Sequence, residues 1–295
     1  MVTVLTAGHV NWDVTLRVDN FPEPDGEAAI RSQRQSGGGS AANVATALAG
    51  LDVDTGLVGS VGDDDNGLLA RRELEATGVS LDGLRIVEDA DTAVKYILVD
   101  DAGEVAVLGN DGVNEAVYPD DIDPARIERA SHVHLTSQRP ETASRLARLA
   151  SESGATVSVD PGRRLASRDY TDTLVHADII FLNDREVEAI LEETYSVSEY
   201  SDRILAIKYG GDGAEVHTPT GSIRHPGFDI DPVDTTGAGD AFAAGFIATY
   251  LQTNDIERIL EFANACGALA ASTEGARSAP TANSVGALLA AQHEQ

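Results

Sequence analysis

Short runs of apolar and β-branched residues recur along the second half of the chain and predict a series of buried strands. They cover residues 132–135, 156–160, 179–182 and 204–208, and helical stretches separate them. Two similar runs occur earlier, at residues 2–7 and 55–61. Strands that alternate with helices are typical of a parallel sheet with helices on both faces. The pattern therefore predicts an α/β fold with a doubly wound, mostly parallel sheet.

A second pattern, the alternation of polar and apolar residues around turns, marks shorter strands nearer the N-terminus. These strand-like pieces cover residues 14–18, 28–33, 92–100 and 104–109. The last two flank a short turn and predict a β-hairpin. We expect the four pieces to form a small β-sheet lid, at approximately residues 12–36 and 91–114. The chain contains no linker long enough to divide it, so we expect one domain over residues 1–295.

Two stretches combine a glycine-rich turn with a helix of small residues. One contains Gly237-Ala238-Gly239, and the other follows residues 37–39. A helix start with unpaired amides binds anions, yet Asp240 in the first turn would repel a phosphate. Both features make sense together if Asp240 takes a proton from a hydroxyl while the amides hold the charge that moves towards it. By itself, the same pattern also fits an ordinary capped helix.

Polar side chains follow several of the predicted strands. Asn11 and Asp13 come just past the first strand, where ligands bind in open α/β sheets, although they also fit a loop pair that caps its own backbone. Asn43 falls in the first turn of its helix and can direct an amide at a ligand. Asn183 and Glu186 lie three residues apart and share one helical face. They suit a hydrated magnesium ion or, alternatively, an N-terminal capping box.

Other motifs exclude some functions. The chain has no Gly-Lys-Ser/Thr triplet, which excludes a P-loop, and the glycines at 37–39 lack the spacing of a dinucleotide fingerprint. The acidic triplet at residues 63–65 fits no calcium loop, so helix capping is the favoured interpretation.

Composition narrows the choice of partners. The chain carries 49 acidic and 21 basic residues, for a net charge of −28. Such a balance disfavours nucleic acid and anionic membranes as partners, because phosphate binding depends on Lys and Arg. The acidic residues are spread through periodic segments, which indicates a protein from a salt-loving organism, with an acidic mesophilic protein as the alternative. A single cysteine, Cys266, no apolar stretch of bilayer length and no secretion signal favour the cytoplasm.

Seven stretches agree, in order and spacing, with one family. They are GHVNWD, SGGGSAANVATALAGL, VGDDDNGLLARRELEATGV, NDRE, KYGGDG, DTTGAGDAFAAGF and TEGARSAP. The chain resembles the ribokinase-like (phosphofructokinase-B type) carbohydrate kinases, which include fructokinases, ketodeoxygluconate kinases and nucleoside kinases. The sixth stretch is the most specific. The resemblance implies an enzyme that uses ATP and Mg²⁺ to phosphorylate a hydroxyl group of a small sugar beneath a β-sheet lid.

The resemblance also implies a role for each candidate residue. Asp240 would be the general base, and the anion hole would come from the amides of Thr236, Gly237, Ala238 and Gly239. The sugar would be bound by Asn11, Asp13, Gly38, Gly39, Asn43 and Asp240. The nucleotide would be held by Asn183, Lys208, Gly210, Gly213, Thr236, Gly237, Gly239 and Asn264. Asn183 and Glu186 would organise Mg²⁺ through water, and Asp234 and Thr236 match positions that bind K⁺ in the members that use it.

Three alternatives remain at this point. The first is a nucleoside kinase of the same family. The second is a non-catalytic sugar-binding protein on the same scaffold, against which an intact Asp240 argues. The third, a nicotinamide oxidoreductase, is disfavoured because the dinucleotide fingerprint is missing. Lid strands with free edges would also favour a homodimer. Before residue 204 only a short Tyr/Ser-rich stretch stands where members of the family carry a fuller helix.

Overall fold

A computed structural model describes residues 3–187, 202–277 and 279–293, so that most of the Tyr/Ser-rich stretch lies outside it. The described strands, in chain order, are β1 (Val4–Ala7), β2 (Asn11–Val18), β3 (Ile30–Gly38), β4 (Thr55–Gly62), β5 (Ser80–Val87), β6 (Ala93–Val99), β7 (Val105–Gly109), β8 (His132–Thr136), β9 (Thr156–Asp160), β10 (Ile179–Asn183), β11 (Ile204–Lys208), β12 (Ala214–Thr218) and β13 (Gly221–His225). The helices are α1 (Ser40–Gly50), α2 (Asp65–Ala76), α3 (Pro124–Ile127), α4 (Pro140–Ser153), α5 (Thr171–Leu174), α6 (Ala238–Tyr250), α7 (Ile256–Ala271) and α8 (Ala282–His293).

Within these residues, nine strands form the main sheet in the order β13-β12-β11-β10-β9-β8-β1-β4-β5. All neighbours from β5 to β11 are parallel, and β12 and β13 complete the sheet as an antiparallel hairpin. The doubly wound α/β fold is therefore confirmed. The sequence did not predict β5, whose residues are partly or fully exposed at the edge of the sheet and lack a clear apolar run.

Helices bury both faces of the main sheet. On one face, β1, β8 and β9 pack their aliphatic side chains against α3, α4 and α5. On the other face, β10 and β11 pack against α1, α6, α7 and α8 around a T-shaped aromatic pair, Phe181 and Phe246, with ring centroids 5.3 Å apart. Helix ends follow local sequence signals: α4 starts at Pro140 and stops at Gly154 in the left-handed conformation, with φ of 82°.

The remaining four strands form a separate sheet in the order β3-β2-β6-β7, which confirms the predicted lid. Strand β2 pairs with β3 in antiparallel and with β6 in parallel orientation. Two expectations need correction. Asn11 and Asp13 do not lie in a loop beyond β1 but inside β2, and Gly38 belongs to β3 rather than to a helix start. The lid thus begins only a few residues after β1 of the main sheet ends.

The acidic triplet before α2 behaves as the sequence suggests. The Asp64 carboxylate accepts a hydrogen bond of 2.9 Å from the amide of Gly67 and caps the helix. In the ranges that the structure covers, no helix is long and apolar enough to cross a membrane.

Candidate active site

Asp240 occupies the first turn of α6, and the sequence around it explains how it is held there. Gly237 precedes the helix in the left-handed conformation, with φ of 79°. A Cβ atom at this position would approach the carbonyl oxygen of Ala276 to 2.3 Å. Glycine is therefore required both for the backbone conformation and for the lack of space. Further along, Gly245 allows α6 to pack closely on Cys266 of α7, where an added Cβ would lie 2.6 Å from the Sγ atom. Small residues therefore fix the helix, and the helix fixes Asp240.

The Asp240 carboxylate is half-buried and paired across the molecule. Its Oδ2 atom accepts a hydrogen bond of 2.8 Å from Nδ2 of Asn43, in the first turn of α1. Burial raises the pKa of Asp240 to about 7, and the nearby Asp160 carboxylate adds to this, while the hydrogen bond from Asn43 opposes it. A carboxylate with a pKa near neutrality can accept a proton from a hydroxyl and release it again, as a general base must.

The turn before α6 presents unpaired amides. Those of Gly237, Gly239 and Asp240 donate to no protein acceptor among the residues described. The amide of Thr236 donates to Oδ1 of Asp234 at 2.9 Å, and that of Ala238 makes a 3.2 Å turn bond. Two of the four amides that the resemblance assigns to the anion hole thus already help to hold the turn. The others are ready to bind an anion.

A buried cation faces the same turn. Lys208, at the end of β11, donates a 2.6 Å hydrogen bond to Oδ2 of Asp160, at the end of β9. A Cβ atom on Gly239 would lie 3.6 Å from the Lys208 ammonium, which places this charge beside the free amides. Burial alone would lower the pKa of Lys208, but Asp160, Glu186 and Asp240 together raise it, so the side chain remains charged.

Asp160 was missed in the sequence, although a signal existed. It is the last residue of a predicted strand, and polar groups at such ends already marked Asn11 and Asp13 as candidates.

Asn183 and Glu186 form the capping box that was the alternative to a metal site. The amide of Asn183 donates to Oε2 of Glu186, and the amide of Glu186 donates to Oδ1 of Asn183, both at 2.9 Å. Burial raises the pKa of Glu186, and the Asp160 carboxylate raises it further. The Asp160 carboxylate therefore repels both Glu186 and Asp240 here. A divalent cation held mainly by water and phosphate fits that excess of negative charge.

Of the buried polar atoms that have no partner in the described chain, two lie beside Gly38 and Asp240. They are Oδ1 of Asp13 and Oδ1 of Asn43. Asp13 rests against the backbone of Gly38, where an added Cβ would lie 2.1 Å from its Oδ2 atom. Burial raises the pKa of Asp13 to about 6, although Arg277 and Lys95 oppose this. Buried polar atoms are rarely left unpaired, and a ligand with hydroxyl groups would satisfy both of these oxygens.

Asn11 is positioned by the polar turn at residues 110–114. Nδ2 of the buried Asn114 donates a 2.6 Å hydrogen bond to Oδ1 of Asn11. Oδ1 of Asn114 accepts at 3.1 Å from the amide of Val10. The turn therefore reaches the site indirectly, through the orientation of Asn11.

Arg277 is a second residue without a role in the sequence analysis, and it anchors the lid. Its Nη2 atom donates 2.9 Å to the carbonyl of Gly38, and Nη1 lies 3.4 Å from Oε2 of Glu73. The same Glu73 oxygen accepts from the amide of Gly37 at 2.7 Å. Burial lowers the pKa of Arg277 to about 10, with Glu73 and Asp13 acting in the opposite direction. The loop after α7 is thereby tied to the end of β3.

The remaining candidates are engaged locally. Asp234 accepts from the amides of Thr236 and of Gly275, at 2.9 and 3.0 Å. Asn264 is buried, and its Nδ2 atom donates to the Leu260 carbonyl of its own helix at 2.7 Å. Gly210 and Gly213 both have positive φ in the turn that joins β11 to β12. None of the hydrogen bonds given for these residues involves Asp240.

Several known proteins are similar to this chain. Residues 1–282 match the sequence pattern of the pfkB family carbohydrate kinases. An ATP-dependent ribose-1-phosphate kinase of Halopiger xanaduensis is 71% identical over 98% of this chain and 98% of its own. A nucleoside kinase of Methanothermobacter thermautotrophicus is 30% identical over 92% of this chain and 90% of its own. The structure of Arabidopsis thaliana ribokinase complexed with ribose and ATP superposes with a TM-score of 0.87, at 25% identity, and the alignment covers 98% of this chain and 99% of that one.

Proposed function

The chain belongs to the pfkB family of carbohydrate kinases, and we propose that it transfers the γ-phosphoryl group of ATP to a hydroxyl of ribose 1-phosphate. The similarity to the Halopiger xanaduensis enzyme supports this acceptor. Ribose 1-phosphate carries one primary hydroxyl, at C5, and we assign the transfer to that oxygen. The products are then ADP and ribose 1,5-bisphosphate.

The observation that carries the proposal is the pairing of Asp240 with free amides in one helix turn. Asp240 takes the proton of the acceptor hydroxyl, whose oxygen then forms a bond to the γ-phosphorus while the bond to the ADP oxygen breaks. The amides of Gly237 and Gly239 and the ammonium of Lys208 stabilise the negative charge on the transferred group. Most of the catalysis comes from positioning and electrostatics, because phosphoryl transfer requires little covalent chemistry from the protein.

The lid residues orient the acceptor. Asp13 and Asn43 each offer an unpaired buried oxygen to a ribose hydroxyl, and Asn11 completes the set. The backbone at Gly38 and Gly39 allows the sugar to approach closely, because a side chain there would fill the space. Closure of the lid excludes water, which would otherwise compete with the sugar for the phosphoryl group.

Mg²⁺ suits the nucleotide side. Glu186 and Asn183 would hold it through water, and the mutual repulsion of Glu186 with Asp160 fits a nearby divalent cation. The ion would supply charge neutralisation between the phosphates. We assign Gly210, Gly213 and Asn264 to the nucleotide, and Asp234 with Thr236 to a monovalent cation such as K⁺. ATP as the phosphoryl donor also favours the cytoplasm.

The lid also suggests a homodimer. It exposes five large apolar side chains, namely Ile30, Tyr96, Val105, Val107 and Leu108. Three of them lie on β7, an edge strand of the lid, where a second copy can pair with the same strand. Light scattering should therefore give twice the mass of one chain, and Val107→Lys with Leu108→Lys should give a single chain. A monomeric wild-type protein would refute the dimer.

A panel of acceptors tests the function. The purified chain, ATP and Mg²⁺ are mixed in high potassium chloride with ribose 1-phosphate, ribose or a set of nucleosides, and ADP release is measured. We expect the highest kcat/KM with ribose 1-phosphate. The similarity to a nucleoside kinase makes nucleosides the second candidate class, and preferential turnover of one would support it instead. Tight acceptor binding without ADP release would indicate a sugar-binding protein.

A further inference from the structure

Positive charge is concentrated at one place away from Asp240. The loop at residues 111–115 is surrounded by His9, Lys95, Arg164 and Arg168. Acidic residues outnumber basic ones 49 to 21 in this chain, so a cluster of basic side chains is unusual for its surface. The chain holds only two lysines, Lys95 and Lys208. One lies beside the catalytic turn, and the other lies in this cluster.

Two of these cations converge on a single exposed oxygen. Oδ1 of Asp111 lies 2.7 Å from Nη2 of Arg164 and 3.4 Å from Nζ of Lys95. Arg164 comes from the turn after β9, and Lys95 comes from β6 of the lid. The Asp111 side chain is 59% exposed, so its carboxylate can leave this position at little cost. The two cations therefore define a place for an oxyanion between the lid and the main sheet.

A buried carboxylate fixes one side of this place. Glu115 is only 12% exposed, and both of its oxygens accept from Arg168, at 2.7 and 3.2 Å. Nη1 of Arg164 donates to the same carboxylate at 2.8 Å, and Nε2 of His9 lies 3.4 Å away. Burial alone would raise the pKa of Glu115, but His9 and the two arginines lower it to about 2. One carboxylate thus holds two arginines, and a net positive charge remains.

The cluster lies at the acceptor end of the cleft. Lys95 is the register partner of Asp13 in the parallel pair of β2 and β6, so both side chains leave the same face of the lid. The charge of Lys95 also acts on the Asp13 carboxylate. Asp13 therefore has Lys95 on one side and Gly38 on the other. Beyond Gly38, Asn43 contacts Asp240.

We infer that Lys95 and Arg164 bind the phosphate group that the acceptor already carries, in place of the Asp111 carboxylate. This inference rests on the proposed function. In ribose 1-phosphate the C5 hydroxyl and the C1 phosphate lie at opposite ends of the molecule. A C5 hydroxyl at Asp240 therefore directs the phosphate towards the lid. Direct ion pairs are needed, because high salt screens longer-range attraction in so acidic a protein.

The test compares a phosphorylated acceptor with the same sugar without phosphate. In Arg164→Gln, KM for ribose 1-phosphate should rise by about 10- to 100-fold, as for a lost hydrogen bond to a charged group. KM for ribose should stay the same. Arg163→Gln is the matched control, because Arg163 is exposed in the same turn and the substitution removes the same charge. Lys95→Gln should repeat the effect from the lid and serves if Arg164→Gln does not fold.

Asp111→Asn should change KM for ribose 1-phosphate in the opposite direction. If Asp111 only occupies the phosphate site, its removal should lower KM for ribose 1-phosphate by about 2- to 10-fold, because a competing charge is gone. A purely structural ion-pair network would instead predict a raised or unchanged KM.

The outcomes separate the two claims. If the wild-type protein prefers ribose to ribose 1-phosphate, the proposed function fails, and the phosphate site fails with it. If it prefers ribose 1-phosphate but Arg164→Gln and Lys95→Gln keep the wild-type KM, the function stands and only the phosphate site is refuted. Equal effects on both acceptors would likewise refute the site.

Discussion

The starts of α1 and α6 look alike in sequence but do different work. Both follow glycines, both lead into buried helices of small residues, and neither has a side-chain cap. Before α1, Gly37 and Gly38 belong to a lid strand, and Gly38 makes room for the Asp13 carboxylate. Before α6, Gly237 forms a left-handed turn that leaves amides unpaired. Under the proposed function, the first glycine run would admit side chains that recognise the acceptor, and the second would expose backbone amides to the phosphoryl group.

A hydrogen bond from Asn43 to Asp240 joins the two helix starts, and Ser40 at the start of α1 also acts on the Asp240 carboxylate. Under the proposed function, the Asn43 amide belongs to the region that would recognise the acceptor, and the Asp240 carboxylate belongs to the region that would carry out the transfer. If this division is right, substitutions at α6 should lower kcat, whereas substitutions at α1 should mainly raise KM for the acceptor.

The largest effect is expected at the base. Asp240→Asn keeps the shape and the contact with Asn43 but cannot accept a proton. We expect kcat to fall by about 10²- to 10⁴-fold, with KM for the acceptor little changed. Steady-state kinetics measure both values, and calorimetric binding of ATP verifies that the site is intact. Full turnover in this variant would show that another group is the base.

A smaller effect should appear at the other helix start. In Gly38→Ala the new Cβ would lie 2.1 Å from the Asp13 carboxylate and displace it. KM for the acceptor should rise by about 10-fold or more, while kcat changes less, because Asp13 binds without taking part in the transfer. Gly286→Ala is the control, since nothing lies near a Cβ on that exposed position of α8. A loss confined to kcat would contradict the division.

The contact between the two regions can be read from the pH dependence of catalysis. The hydrogen bond from Asn43 lowers the pKa of Asp240, which burial raises to about 7. Asn43→Ala should therefore move the acid limb of kcat/KM to higher pH by up to about one unit, besides raising KM for the acceptor. Wild-type rates at a series of pH values give the reference. An unchanged limb would mean that Asn43 does not act on the base.

Sequence reasoning found the local parts of this comparison and missed the long-range ones. Glycines next to a small-residue helix are a short-range signal, so the surroundings of Asp240 were predictable. The partner of Asp240 is 197 residues away, and the partner of Lys208 is 48 residues away. Such contacts depend on which strands become neighbours in the sheet, and local sequence patterns do not reveal the order of the strands.

The lid shows two different causes of error. Residues 11–18 alternate polar and apolar from Asn11 onwards, so the full length of β2 was available as a signal but was read as starting at Val14. For β3 the pattern predicts a strand only over residues 28–33, because the rest of the strand, up to Ser36, is polar and shows no alternation. It forms by pairing with β2, which a pattern within one strand does not reveal.

The smallest effect is on the free energy of unfolding. Replacing Asp240 should raise it, although the same substitution lowers kcat. The Asp240 carboxyl has a folded-state pKa of about 7, above its ordinary value of 3.8. Below pH 3.8 the group is neutral in both states, so it costs nothing. As the pH rises from 3.8 to about 7, the group ionises in the unfolded chain but stays protonated in the folded one, so the folded state loses stability. The full shift would correspond to about 4 kcal/mol, and contact with solvent reduces this to ~1–2 kcal/mol.

Asp240→Asn should therefore unfold at a higher urea concentration than the wild type at pH 8, and the difference should vanish near pH 4. Removing any acidic residue from a chain of net charge −28 also relieves repulsion, so a matched control is needed. Asp82→Asn, on the exposed edge strand β5, changes the net charge equally and should give a much smaller gain. If both variants gained the same stability, the buried charge of Asp240 would not be the cause. A gain specific to Asp240→Asn would mean that the α6 start retains a destabilising carboxylate because the transfer requires a base, whereas the α1 start places the neutral Asn43 at its contact with α6.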